Sequence, residues 1–242
     1  MQSKVASGKL AKHYGGFNMR MTHSLLAATI VASTAFLFAA APVGDEAKGH
    51  KHDTATIGHA APAFTLTGAD GKTYNLADYK GKTVVLEWFC SSCPASGKGE
   101  NSFWGSGDAA KTLTGMKAAD ADAVYLAIDS TKDGHQDMTT ADEGKASTEI
   151  IAKSGQSVPV LMDASGKVGR EYGAKTTPHI FIIDKTGNVA YIGAPTGDGG
   201  KINYIVDAVT AIKAGKPVNP SKTKNSGCGV KYASPKAEKP AA

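Results

Sequence analysis

Val84-Val85-Leu86-Glu87-Trp88-Phe89-Cys90-Ser91-Ser92-Cys93-Pro94-Ala95-Ser96 joins a strand-like run to a pair of cysteines. Five of its first six residues are apolar or aromatic, and the run is dense in types that favour strands, so it reads as a buried central strand. The strand runs into Cys90-x-x-Cys93 and then Pro94. Proline suits the first position of a helix, where its missing donor is not needed. A cysteine carried by a strand to the start of a helix meets free N–H groups and partial positive charge, and both favour the thiolate. The alternatives for such a pair are two buried small side chains or a plain structural disulfide.

Working outward, the 242 residues allow one ordinary domain with tails. The hydrophobic fraction of 41% and charged fraction of 20% are those of a globular protein. The net charge of +5 is unevenly spread. Residues 1–41 carry Lys4, Lys9, Lys12 and Arg20 with no acid, and residues 213–242 carry seven lysines against Glu238. The part between them therefore holds 16 basic and 21 acidic side chains. An acidic body of this kind gives no support to nucleic-acid binding.

Leu25–Ala41 is an apolar run preceded by Arg20 and His23 and followed by Pro42 and charged residues. These are the parts of a secretory signal, with Met19 or Met21 a more usual start than Met1 and the cut site left open near Ala39-x-Ala41. An uncleaved membrane anchor is the rival, and the run is short for it. Export to an extracytoplasmic space places the cysteines where disulfides persist. Residues 42–56 read as a flexible linker. It contains His50 and His52, with His59 just beyond, but nothing nearby fixes a metal geometry.

The domain spans 57–214. Ala63–Thr67 and Lys72–Leu76 form an N-terminal hairpin around the Gly68-Ala69-Asp70-Gly71 turn. After the central strand, Gly97, Gly99, Gly105 and Gly107 predict a broken helix over Pro94–Phe103 and a second over Ala109–Ala118. A buried strand follows at Ala123–Ile128, then a polar loop from Ser130 to Lys145 and a helix at Thr148–Lys153. Val158–Leu161 is a short strand and Val168–Tyr172 a short helix. Ile180–Ile183 and Asn188–Ile192 are strands joined by Asp184-Lys185-Thr186-Gly187. Ile202, Ile205, Val206, Val209 and Ile212 mark an amphipathic helix over Lys201–Ala214. Strands alternating with helices, then a hairpin and a last helix, give an α/β class with a central mixed sheet flanked by helices. Residues 215–242 read as a basic, solvated tail in which glycine-flanked Cys228 is mobile and exposed.

Four segments in this order resemble thioredoxin-fold proteins of the redoxin and peroxiredoxin-like group, also called the alkyl hydroperoxide reductase/thiol-specific antioxidant family. They are Gly58-His59-Ala60-Ala61-Pro62-Ala63-Phe64-Thr65-Leu66; Gly81-Lys82-Thr83-Val84-Val85-Leu86; Tyr172-Gly173-Ala174 through Thr177-Pro178; and Phe181-Ile182-Ile183-Asp184 with Gly187. The resemblance implies a thioredoxin-like fold and thiol-based oxidoreductase activity on a protein disulfide or a peroxide, with a separate thiol reductant as partner. It implies that Thr177-Pro178 is the loop whose cis proline faces the active cysteine. No cofactor and no metal are expected; the acidic body leaves no nucleic-acid partner to expect, and the N-terminal apolar run gives membrane contact only through a retained signal.

The register of the resemblance bears on the cysteines. Counting from Val84-Val85-Leu86 in the manner of exported thioredoxins puts Cys93 at the attacking position and Ser96 where the resolving cysteine usually stands. Cys90 is then an additional thiol upstream. A plain Cys-x-x-Cys reading makes Cys90 the attacker instead. The peroxiredoxin Pro-x-x-x-Thr-x-x-Cys frame is absent, with Leu86 and Cys90 at its Pro and Thr places. Cys90 and Cys228 are both candidates for resolving the intermediate. Glu87 is either a buried acid under the cysteines, passing protons with a raised pKa, or a strand-end acid reaching solvent. His179 contacts the thiolate or completes a soft-metal site with the cysteines, as in copper-handling relatives, or is a satisfied groove histidine. A copper-handling or non-catalytic binding protein is the alternative to an enzyme.

Overall fold

A computed structural model of the chain describes residues 54–135 and 143–233. The expected signal region and most of the expected linker, with His50 and His52, lie outside the described residues.

The elements run β1 (Thr65–Gly68), β2 (Thr73–Asn75), β3 (Val84–Trp88), α1 (Asp108–Ala119), β4 (Val124–Asp129), α2 (Glu143–Lys153), β5 (Val160–Met162) and α3 (Lys167–Tyr172). They continue with β6 (Thr176–Thr177), β7 (His179–Ile183), β8 (Val189–Gly193), β9 (Thr196–Gly197), β10 (Ile202–Asn203), α4 (Tyr204–Lys213) and β11 (Cys228–Gly229). Seven strands form one sheet in the order β2-β1-β5-β4-β3-β7-β8. β3, β4 and β5 are parallel to one another, and the remaining pairs are antiparallel. This is the mixed sheet with an N-terminal hairpin that the pattern of elements predicts.

β3 explains itself. A strand with neighbours on both edges and both faces covered reads as a nearly continuous apolar run. Val85 and Phe89 enter one layer, with Phe103, Trp104, Leu113, Met116, Ile205 and Val209. Val84, Leu86 and Trp88 enter the other, with Phe64, Tyr172, Phe181 and Ile183. Glu87 falls by alternation on the Val85 side, beneath the segment that follows the cysteines.

Four expectations change. No helix forms over Pro94–Phe103; the segment is a succession of turns. The Cys93 carbonyl accepts from the N–H groups of Ser96, Gly97 and Lys98 at 3.1, 2.9 and 2.8 Å, which closes a single turn only. Gly97 lies so close to the preceding segment that a Cβ there would meet the Cys90 carbonyl oxygen at 2.8 Å. The segment is thus folded down on itself, where a regular helix would hold it away. α2 begins at Glu143, taking in the end of the expected loop. α4 begins at Tyr204, because Ile202 and Asn203 pair with β9 and Asn203 then caps the helix by accepting from Val206 N–H at 3.1 Å.

The fourth change is the largest. Residues 215–233 do not stand off in solvent. They return along β8, where Ile192 N–H donates to the Ser221 carbonyl at 3.0 Å and Thr223 N–H to the Ile192 carbonyl at 3.1 Å. They then cross to β6, where Cys228 pairs with Thr177 and Gly229 with Thr176. The lysines of this segment made it read as tail, while its few pairing residues carry no local pattern.

Candidate active site

The site lies where β3 and β4 end and β7 begins, at the carboxyl ends of the parallel strands. β3 delivers Cys90 and Cys93, the residues after β4 supply Thr131, and β6 supplies Thr177. The Thr177–Pro178 peptide is cis, as the resemblance implies. A cavity of about 110 Å³ is lined by Cys90, Cys93, Thr131, Thr177, Cys228 and Lys231, among others. All three cysteines are free thiols. Cys228, expected to be mobile and exposed, is instead half-buried on β11 against the other two.

Cys93 is buried, with its thiol donating to the Thr177 carbonyl at 3.2 Å. Burial by itself would raise its pKa. It is outweighed by the polar groups around the sulfur: Cys228, through its thiol and backbone N–H, the Thr177 side chain, and the backbone N–H of Ala95. The net displacement is downward. The thiolate is thus favoured by local donors around one turn, and the full helix N-terminus expected from the sequence is not there. The other two thiols go the opposite way. Burial, with a contribution from the negative charge of Asp129, pushes Cys90 up; its sulfur meets the Ser92 hydroxyl at 3.3 Å and the Thr131 hydroxyl at 4.0 Å. Burial raises Cys228 too, and its hydrogen bond to Cys93 holds it further as the thiol.

Glu87 is fully buried, so the solvent-reaching alternative does not hold. Its carboxyl accepts from Trp104 Nε1 at 3.0 Å, from the Tyr125 hydroxyl at 2.9 Å and from the Ser96 hydroxyl at 3.4 Å. Burial pushes its pKa up to about 8 against these three donors, and the neighbouring Cys93 charge adds to the rise. Ser96 therefore ties the cysteine turn to the buried acid.

His179 takes no part in this cavity. It lies on the Phe181 side of the sheet, its ring 4.6 Å from the Phe181 ring, and its Nδ1 accepts from Lys175 N–H at 3.2 Å. Burial lowers its pKa to about 4, so the ring is neutral. Neither thiolate contact nor a shared metal site with the cysteines is formed, because β7 alternation turns it away from them. Among the described residues no group of three or more His, Cys, Asp or Glu is placed to hold a metal ion.

Sequence reasoning did not single out Trp104, Tyr125, Thr131 or Asp129. Asp129 is fully buried at the end of β4, accepts from Thr131 N–H at 2.9 Å, and has its pKa raised by burial. Only its place after an apolar run marks it, and many strand-end acids share that place. The two aromatic donors look like ordinary core residues until the sheet brings them under Glu87.

The fold is thioredoxin-like, and the chemistry gathered at its sheet end is that of thiols. Residues 57–192 match the model of the AhpC/TSA family, and the chain belongs to that family. It is 27% identical over 143 residues to a Bacillus thuringiensis subsp. konkukian (strain 97-27) protein named thiol-disulfide oxidoreductase ResA, spanning 57% of this chain and 70% of that one. It is 30% identical over 141 residues to a Mycobacterium tuberculosis (strain CDC 1551 / Oshkosh) protein named "Putative peroxiredoxin MT2597", spanning 52% of this chain and 90% of that one. Among solved structures, hypothetical protein SMc02350 from Sinorhizobium meliloti 1021 shares the fold, with a TM-score of 0.61 at 23% identity over 75% of this chain and 97% of that one.

Proposed function

We propose that the chain is an exported thiol-based oxidoreductase in which Cys93 attacks and Cys228 resolves. The observation that carries this is that Cys93 and Cys228 line one cavity, the Cys93 thiol donating to the carbonyl of Thr177, the residue with which Cys228 pairs; with this arrangement Cys93 is displaced toward the thiolate, while Cys228 is raised. An attacking thiol needs the thiolate form first, and a resolving thiol only has to reach the same sulfur afterwards. Cys90, raised by burial, fits neither the first role nor the count from the central strand.

With a disulfide, the Cys93 thiolate attacks one sulfur, forming a mixed disulfide and releasing the first substrate thiolate. Cys228, losing its proton, attacks the Cys93 sulfur, forms the Cys93–Cys228 disulfide and releases the second. The substrate gains two electrons and becomes two thiols. With a peroxide, Cys93 takes the terminal oxygen as a sulfenic acid while the alcohol or water leaves, and Cys228 condenses with it to the same disulfide with loss of water. A dithiol reductant restores both thiols in either case. Glu87, whose pKa is pushed up to about 8 by burial, takes the role of exchanging protons with the leaving thiol in this reading.

The test is disulfide mapping by mass spectrometry on single variants, before and after one equivalent of oxidant. Cys93→Ser is expected to abolish turnover. Cys90→Ser is expected to retain it and to show the Cys93–Cys228 bond. Cys228→Ser is expected to stop at a mixed disulfide or sulfenic acid on Cys93. Mixed disulfides accumulating on Cys90 in the Cys93→Ser protein would overturn this assignment in favour of the plain Cys-x-x-Cys order.

A further inference from the structure

The segment that carries Cys228 is built as a belt with two fastenings. At one end the Thr223 hydroxyl bonds the Tyr191 hydroxyl at 2.6 Å and accepts from Ala194 N–H at 2.9 Å. Asn225 Nδ2 donates to the Thr176 hydroxyl at 2.7 Å. At the other end Tyr232 lies across α3. Its hydroxyl donates to the Ala174 carbonyl at 2.8 Å, and Arg170 stacks over its ring at 4.8 Å while donating to the Ala233 carbonyl. A Cβ on Gly169 would meet the Tyr232 hydroxyl at 2.5 Å, so the tyrosine occupies a slot that a glycine leaves open. Between the fastenings, Val230 N–H donates to the Lys175 carbonyl at 3.2 Å and Lys132 N–H to the Lys231 carbonyl at 2.9 Å.

The belt takes up a strand edge. β6 pairs with β11 and with no other strand among the described residues. Without the belt, Lys175–Thr177 would present open backbone groups beside Cys93, the kind of edge to which an extended peptide adds as a further strand. With the belt in place that edge is filled, and Cys93 is only 3% exposed. What remains is the cavity of about 110 Å³, small beside the roughly 300–1,000 Å³ of pockets that enclose drug-sized ligands.

We propose that the belt sets the substrate class: it admits small disulfides and peroxides to Cys93 and excludes polypeptide disulfides, with Tyr232 as the specificity-determining fastening. This rests on the reading of Cys93 as the attacking thiol. The wall is both polar and apolar, with Thr131, Thr177 and Lys231 lining it together with Pro94 and Val230, which suits a short polar oxidant better than an extended chain.

The experiment compares the full chain with its Tyr232→Ala variant against three probes: hydrogen peroxide, bis(2-hydroxyethyl) disulfide, and a ten-residue peptide whose central cysteine carries 2-mercaptoethanol as a mixed disulfide. The readout is the rate of modification of Cys93 by quenched mass spectrometry. The unmodified chain is expected to react with the small disulfide at least about a hundredfold faster than with the peptide, and Tyr232→Ala to raise the ratio of the peptide rate to the small-disulfide rate roughly tenfold, a ratio in which any change in the Cys93 thiolate itself cancels. Equal rates for peptide and small disulfide in the unmodified chain, or a ratio that Tyr232→Ala leaves unchanged, would overturn the proposal. Reaction with none of the probes in either protein would instead overturn the assignment of Cys93. Amide exchange at Val230 in the unmodified chain provides an arm that does not depend on the variant folding. Slow exchange there, approaching that of β3, is expected of a fastened belt, and exchange as fast as an open chain would rule it out.

Discussion

Three sulfurs and one carboxyl at this site are tuned by what touches them, and the directions differ. Cys93 gains from polar groups around its sulfur that together overcome its burial, whereas Cys90 and Cys228 are raised. Glu87 retains three donors and is still raised to about 8, because a fully buried carboxylate loses more hydration than those bonds return. This has a consequence for stability. The unfolded chain ionises Glu87 near its ordinary value of 4.5, but the folded chain keeps the proton up to about 8. The contribution of this group to stability is therefore fully present below about pH 4.5 and is lost progressively as pH rises to about 8, at about 1.4 kcal/mol for each unit of the interval. Melting temperature measured from pH 5 to 8 is expected to fall less steeply in Glu87→Gln than in the unmodified chain. Parallel profiles would show that the carboxyl is not held neutral.

At the scale of the element, the cysteine segment is the part where packing replaces regular structure. Gly97 sits against the backbone of Cys90 and Ser91, with a Cβ there meeting the Ser91 Cα and carbonyl oxygen at 2.9 Å. Those are backbone atoms and cannot swing aside. Gly97→Ala is expected to cost about 1–3 kcal/mol as overpacking, a fall in melting temperature of roughly 2–12 °C for a domain of this size. It should also move the alkylation midpoint of Cys93 upward, since the turn that presents Ala95 N–H to the sulfur is the part displaced. Calorimetry and a pH series of alkylation check the two effects separately. The belt depends on a similar close approach at Gly227, whose φ is +150° and where a Cβ would collide with the Thr177 carbonyl. It is this contact that lets Cys228 come down beside Cys93.

For the whole molecule, the seven-stranded sheet places Cys90 and Cys93 at one end, and the belt closes that end from outside and brings Cys228 to it. Among the described residues no helix is long and apolar enough to cross a membrane. The reading of export rests on Leu25–Ala41 with the basic residues before it. N-terminal sequencing of the mature protein is expected to begin between Ala40 and Asp45. Intact Met1 on a cytoplasmic product would remove the export part of the proposal, while the thiol chemistry would stand on its own geometry.

The sequence by itself determined the scaffold. The apolar run of β3, interrupted only by Glu87, the hairpin around Gly68–Gly71, the helical spacing of α4 and the order of four family segments follow from short-range pattern, and short-range pattern is read directly from the chain. The same local reading placed the cysteines after the central strand and Thr177-Pro178 before β7. Tertiary structure decided everything that depends on residues distant in the chain. Thr177 reaches Cys93 across 84 residues, and Tyr125 reaches Glu87 across 38. The helix expected over Pro94–Phe103 gave way because its glycines let the segment pack onto Cys90 and Ser91, and propensity does not register such a contact. His179 was turned from the cysteines by the alternation of β7. The belt was invisible for the same reason: two short pairings and one tyrosine in a slot have no period, and a thiol's protonation is fixed by donors that only the fold brings to it.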